Sequence, residues 1–116
     1  MFGVRKERLN QQLQREIAAI IHQELKDPRL GFVTITKVEL SNDLSHAKVG
    51  YSCLGGDEER ARSQDALEHA ASFVRGLVKR RLRLKIIPEI AFRYDDSIVQ
   101  AIELGRKLDE LKGGVG

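Results

Sequence analysis

Tryptophan is absent, cysteine occurs once, and no apolar run approaches the roughly 18 residues that a membrane-spanning helix requires. The lone thiol, Cys53, has no partner for an internal disulfide, so a reducing cytoplasm is the compartment it predicts. The N-terminal stretch is amphipathic and contains glutamates. It lacks the uninterrupted apolar middle of a secretory signal, and its acids argue against an organelle transit peptide. Aromatic residues are only 5% of the chain, and Phe32, Phe73, Phe92, Tyr51 and Tyr94 mostly fall where core residues should. A sheet that stacks bases on exposed rings is therefore disfavoured. The parts of a catalytic centre are missing too. There is no Walker loop and no dinucleotide fingerprint. His22, His46 and His69 have no ligand-spaced neighbours and read as surface histidines. Asp95 and Asp96 could pose as an acid–base pair, but adjacent residues at a strand end point different ways, and helix capping explains them better. No enzyme, cofactor or metal is expected.

What is present describes one small domain. A chain of 116 residues supports a single hydrophobic core, expected here over residues 1–112 with a flexible tail at 113–116. Apolar residues at 41% and charged residues at 32% fit an ordinary globular protein. The net charge of +3 says little; its distribution says more. The segment 75–85 contains Arg75, Lys79, Arg80, Arg81, Arg83 and Lys85 and no acid, whereas residues outside it and outside 1–30 are net acidic. A basic patch on a near-neutral protein is the electrostatic footprint of a polyanion binder.

The hydrophobic pattern predicts the elements. Leu9, Leu13, Ile17, Ile20, Ile21 and Leu25 form the apolar stripe of an amphipathic helix over 5–26, ended by Asp27-Pro28. Residues 32–40 are rich in β-branched side chains and read as a strand. Val33 and Ile35 share one parity while Val38 and Leu40 share the other, which requires a bulge or strong twist near Thr36-Lys37. Ser41-Asn42-Asp43 has turn chemistry. A second strand then places Ala47, Val49, Tyr51 and Cys53 on one face, completing an antiparallel hairpin. Asp57, Glu58 and Glu59 suit the start of a long helix, which the small triplet Ala70-Ala71-Ser72 could bend.

A third strand holds Ile90, Phe92 and Tyr94 on its core face. Asp95-Asp96-Ser97 then supplies caps for a last helix with the stripe Ile98, Ala101, Ile102, Leu108 and Leu111. The order is an α+β layer arrangement with helices on one face of a three-stranded sheet. Along the second half of the long helix, Arg75, Lys79, Arg80 and Arg83 share an arc of roughly 140°. Arg81 projects among the apolar positions. Either the helix loosens there, or the arginine stem lies over the core and its head reaches water.

The chain resembles the bacterial ribosome-binding factor A family from about Val4 to Glu110. The matching stretches are Lys26-Asp27-Pro28-Arg29-Leu30-Gly31, Asp43-Leu44-Ser45-His46-Ala47-Lys48-Val49, residues 73–85, Pro88-Glu89-Ile90-Ala91-Phe92 and Asp95-Asp96-Ser97-Ile98. The resemblance implies a type II K-homology-like fold, α-β-β-α-α-β plus a C-terminal helix, with the third strand beside the first. It implies a kinked central helix pair, the kink falling on Ala70, Ala71 and Ser72 in place of the usual G-x-x-G loop. Ser72 stands where the family has glycine. The function implied is that of a cytoplasmic, monomeric assembly factor on the free small ribosomal subunit. It would assist late rRNA maturation, including processing of the 5′ end, and growth in the cold. Other assembly factors are further partners the family admits; a membrane is not.

Carried to matching positions, the expected rRNA contacts are Arg75, Lys79, Arg80, Arg83 and Lys85. Weaker candidates are Arg5, Lys6 and Arg8 at the start of the first helix, and Lys26 and Arg29 near its end. Their work would be electrostatic positioning on phosphates. Two other readings compete: a protein–protein adaptor whose basic face meets an acidic partner, and a general single-strand RNA-binding module.

Overall fold

The computed structural model describes residues 2–115. The elements are α1 (Phe2–Gln23), β1 (Val33–Leu40), β2 (His46–Cys53), α2 (Asp57–Leu82), β3 (Glu89–Tyr94) and α3 (Ser97–Val115). They build an α+β fold around one mixed three-stranded sheet in the order β1-β2-β3. β1 and β2 are antiparallel, and β3 runs parallel to β2.

The third strand thus lies beside the second, not the first. β2, α2 and β3 form a strand–helix–strand crossover, and consecutive strands joined this way commonly become parallel neighbours. β2 takes the centre, and β1 and β3 are the edges.

One face of the sheet carries the core. Val33, Ile35, Val38 and Leu40 are all buried although their parity changes midway, because the β1–β2 register shifts between Ile35 and Lys37. This is the predicted bulge, and side chains satisfy it. Gln14 donates to the Thr36 carbonyl at 3.3 Å, and the Thr36 hydroxyl donates to Asp95 at 2.7 Å. Gly50 pairs with Lys37 beside the bulge, and a Cβ there would meet the Thr36 hydroxyl at 3.0 Å. Across the hairpin, Ala47, Val49 and Tyr51 face the same way and are buried, while Cys53 is half-buried against the core.

Leu13, Ile17, Ile20 and Ile21 of α1 and Ala66, Leu67, Val74 and Val78 of α2 close the core from above. α1 ends at Gln23, slightly before the expected boundary, and a turn carries the chain to Asp27-Pro28. α2 begins where its acids predict, and Glu59 reaches back to accept from the Gly56 N–H at 2.9 Å. Gly55 precedes it at φ +111°, where a Cβ would collide with the Glu59 side chain.

Two expectations about the helices change. α2 is one unbroken helix through Ala70, Ala71 and Ser72, so the expected helix pair is a single element of 26 residues. Ala70 and Ala71 are half-buried against the core, and alanine is the residue most favourable to a continuing helix. Only α1 and α2 cover the sheet, because the described side chains of α3 stay out of the core. α3 is helical from Ser97 to Val115. Met1 and Gly116, at the ends of the expected domain and tail, and the Ile98 side chain lie outside the described residues.

Candidate nucleic-acid interface

The basic segment occupies the last turns of α2 and the loop that leads into β3. Its position at a helix C-terminus is electrostatically natural, since the backbone carbonyls there carry partial negative charge. Asp57, Glu58 and Glu59 mirror this at the other end. The helix stops at Arg83, which adopts a left-handed conformation (φ 48°, ψ 46°) while its N–H donates to the Lys79 carbonyl at 3.3 Å. That turn points Lys85 and Ile86 outward, and both are exposed.

The expected contact residues divide into engaged and free ones. Arg75 is half-buried and faces inward to the loop before β3. Its Nε donates to the Pro88 carbonyl at 3.2 Å and one Nη to the Ile87 carbonyl at 2.9 Å, with Glu89 at 3.8 Å. Arg81 keeps to a regular helix, but its head does not simply reach water. It lies 3.4 Å from both Glu16 and Glu24 of α1. Lys79, Arg80, Arg83 and Lys85 are exposed and form no ion pair among the described residues.

The weaker candidates divide in the same way. Arg5, Arg8 and Lys26 are exposed. Lys6 donates to the Asn42 side chain at 3.1 Å. Arg29 is joined to Asp27 through a closest contact of 2.7 Å. Hydrogen bonds from Arg29 hold the Asp27 carboxyl down at about 2 and raise the Arg29 guanidinium in turn.

Two aromatic side chains depart from their expected burial. Phe32 is 71% exposed and Phe73 is 49% exposed. Phe73 precedes Arg80 by two helical turns and shares its side of α2, because seven residues return close to the same angle. Exposed rings and cations on one surface are the combination used to hold single-stranded nucleic acid. The place of Phe73 on the border of the apolar stripe hid it from pattern reading. Tyr51, by contrast, is buried; its hydroxyl bonds Gln64, and burial pushes its pKa up to about 12.

Asp95 and Asp96 cap the start of α3. Asp95 accepts from the Ser97 N–H at 2.9 Å and from the Thr36 hydroxyl at 2.7 Å, and hydrogen bonding by the Ser97 side chain, by Thr36 and by the Ser97 N–H lowers its carboxyl to about 2. Asp96 accepts from the Gln100 side chain at 3.0 Å. A carboxyl held that low is a poor proton donor at neutral pH. Among the described residues no group of three or more His, Cys, Asp or Glu side chains could hold a metal ion, and no helix is long and apolar enough to cross a membrane. All three histidines are exposed.

A small α+β domain with two helices on one sheet face, a polar opposite face and an exposed basic helix end belongs to the K-homology-like class of folds. The ribosome-binding factor A family model matches residues 5–108. A ribosome-binding factor A of Nitrosomonas europaea is 42% identical over 106 residues, covering 91% of each chain. The solution structure of a putative ribosome binding factor A from Thermotoga maritima superposes with a TM-score of 0.70 at 41% identity, covering 77% of this chain and 85% of that one. A Thermus thermophilus ribosome binding factor A homology model, fitted into the cryo-EM map of a 30S complex, gives 0.64 at 31% identity over 77% and 93%. The chain belongs to the ribosome-binding factor A family.

Proposed function

We propose that this chain binds the free small ribosomal subunit through its rRNA and assists late maturation in the cytoplasm, including processing of the 5′ end, with its greatest effect on growth in the cold. The observation that carries the reading is the cluster Lys79, Arg80, Arg83 and Lys85, exposed and free of ion pairs among the described residues. Arg75 sets the loop that presents them, and Phe73 adds a ring beside them. Arg5, Lys6, Arg8, Lys26 and Arg29 lie on the first helix and its exit and extend the contact. The 30S complex of the Thermus thermophilus relative supports the choice of particle. The chain contributes binding and positioning; bond cleavage in the rRNA belongs to separate nucleases.

Cosedimentation with purified free small subunits, compared with assembled ribosomes, tests the proposal. Selective association with free subunits is expected. With about four phosphates neutralised, log K should fall with log salt at a slope of roughly −3. Association that is insensitive to salt, or equal on both particles, would overturn the reading. The general RNA-binding alternative predicts the second of these outcomes.

A further inference from the structure

α3 is an amphipathic helix whose described side chains pack against no other element of the core. Val99, Ile102, Leu104, Leu108 and Leu111 are 46–68% exposed, and no described side chain of the helix joins the core. The radius of gyration is 17.0 Å, against about 13 Å for a compact chain of this length. Val99 and Ile102 lie near the junction with β3. Further along, Ala101, Leu104, Leu108 and Leu111 recur at spacings of three, four and three, the seam of a helix that packs against another apolar surface.

The chain's own open sheet face cannot supply that surface. It presents Lys37, Glu39, Lys48 and Arg93, all exposed, so an apolar seam laid there would desolvate charges. A second copy fits poorly as well. Lys107 and Lys112 flank the seam on its two sides. In a parallel pair Lys107 would sit opposite the Lys112 of a second copy. In an antiparallel pair with Leu104 against Leu108 it would sit near the second copy's Lys107. Both arrangements place like charges together. RNA offers phosphates to the lysines but no apolar floor to the leucines.

We propose that α3 is a docking helix for a different protein, seated by its leucine seam in an apolar groove with carboxylates along both rims. This inference is independent of the RNA-binding face, since none of its residues belongs to that face.

Two peptide probes test the chemistry directly. Both carry a leucine seam, one flanked by glutamates and the other by lysines, and the readout is fluorescence anisotropy with the full chain. The glutamate-flanked peptide should bind at least about tenfold more tightly than the lysine-flanked one. Leu104→Asp/Leu108→Asp should abolish that binding, and Lys107→Glu/Lys112→Glu, which leaves the seam and the core alone, should reverse the preference. Equal binding of the two peptides, or none, would overturn the proposal. So would a seam-dependent dimer in sedimentation equilibrium. A photo-crosslinker replacing Leu108 should label protein in cells at a segment rich in aspartate or glutamate. Labelling confined to RNA, or to protein segments without acids, would also overturn it.

Discussion

Two sets of cations alternate along the last turns of α2 and differ in what surrounds them. Arg75 and Arg81 face the body of the protein and are held by the Ile87 and Pro88 carbonyls and by Glu16 and Glu24. Lys79, Arg80 and Arg83 face solvent and are available to an external anion. All five lie within nine residues and share one kind of charge. The difference is made by elements that come from elsewhere in the chain: α1 for Arg81, and the entry to β3 for Arg75. A basic run is therefore not a uniform binding surface. The inward cations build the shape, and the outward ones remain free for phosphate.

The largest effect should come from reversing the outward set. Lys79→Glu/Arg80→Glu/Arg83→Glu should weaken small-subunit binding at least about a hundredfold at moderate salt, while the free energy of unfolding falls by no more than about 1–3 kcal/mol, the cost of placing acids at the helix C-terminus. Cosedimentation and urea denaturation check the two halves of that statement. If binding survives, the outward cations are solvated surface and the division has no functional meaning.

Changing the inward set should do the opposite. Arg75→Ala removes hydrogen bonds from a charged donor to two carbonyls and should cost about 1–3 kcal/mol of stability. Binding should fall less than for the outward triple, and only through disorder of the loop before β3. Arg75→Lys keeps the charge but loses the fork that bridges two carbonyls. It should lose most of the stability while retaining affinity for the small subunit. Arg81→Met keeps an apolar stem and should cost about 1 kcal/mol or less, as partly exposed ion pairs usually do. Equal losses of binding in Arg75→Lys and the outward triple would erase the distinction.

Arg29 tests whether a cation can be moved from one set to the other. Its partner Asp27 is lowered from 3.8 to about 2 by the Arg29 hydrogen bonds. A carboxyl depressed on folding stabilises the native state fully above its unfolded value, and that contribution is lost as pH falls through the folded value. Stability should therefore drop between pH 3.8 and about 2, where Asp43 and Asp95, lowered to about 2 by hydrogen bonds from their serine neighbours, contribute too. Asp27→Asn should flatten part of this slope in urea titrations. At neutral pH it should release Arg29 and raise small-subunit affinity by a factor of about two or three. An unchanged affinity would place Arg29 outside the contact surface.

How far the chain can be read from its sequence follows the same division between local and distant causes. The β1 bulge was legible because four buried residues had to face one way, and Val33, Ile35, Val38 and Leu40 could do so only after a shift in register. The hairpin and the capping carboxylates were legible from neighbours a few residues apart. Strand order was not, because β3 could have joined either edge of the hairpin until α2 was placed. α1 and α3 make the point most sharply. Both show a leucine- and isoleucine-rich stripe, yet Leu13 and Ile17 are fully buried while Leu104 and Leu108 are more than half exposed. Periodicity identifies an apolar face and is silent about what it meets. The surroundings of Arg75 and Phe73 are hidden from the sequence for the same reason: the carbonyls that hold one, and the edge of cover that leaves the other bare, belong to the tertiary arrangement.

The smallest effect is also the most discriminating, because stability and binding should move in opposite directions at one residue. Arg83 ends α2 with a positive φ of 48°, a conformation that costs a side-chain-bearing residue about 1 kcal/mol and that glycine adopts freely. Stability alone would favour glycine there. Arg83→Gly should accordingly raise the free energy of unfolding by up to about 1 kcal/mol. With one outward cation removed, affinity for the small subunit should fall a few-fold and the magnitude of the salt slope by roughly one. A variant that is both more stable and equally tight would show that Arg83 is a tolerated helix stop and leave the contact to Lys79, Arg80 and Lys85. The expected pattern, more stable but weaker binding, means that the strained cap is kept because its guanidinium is needed outside the fold.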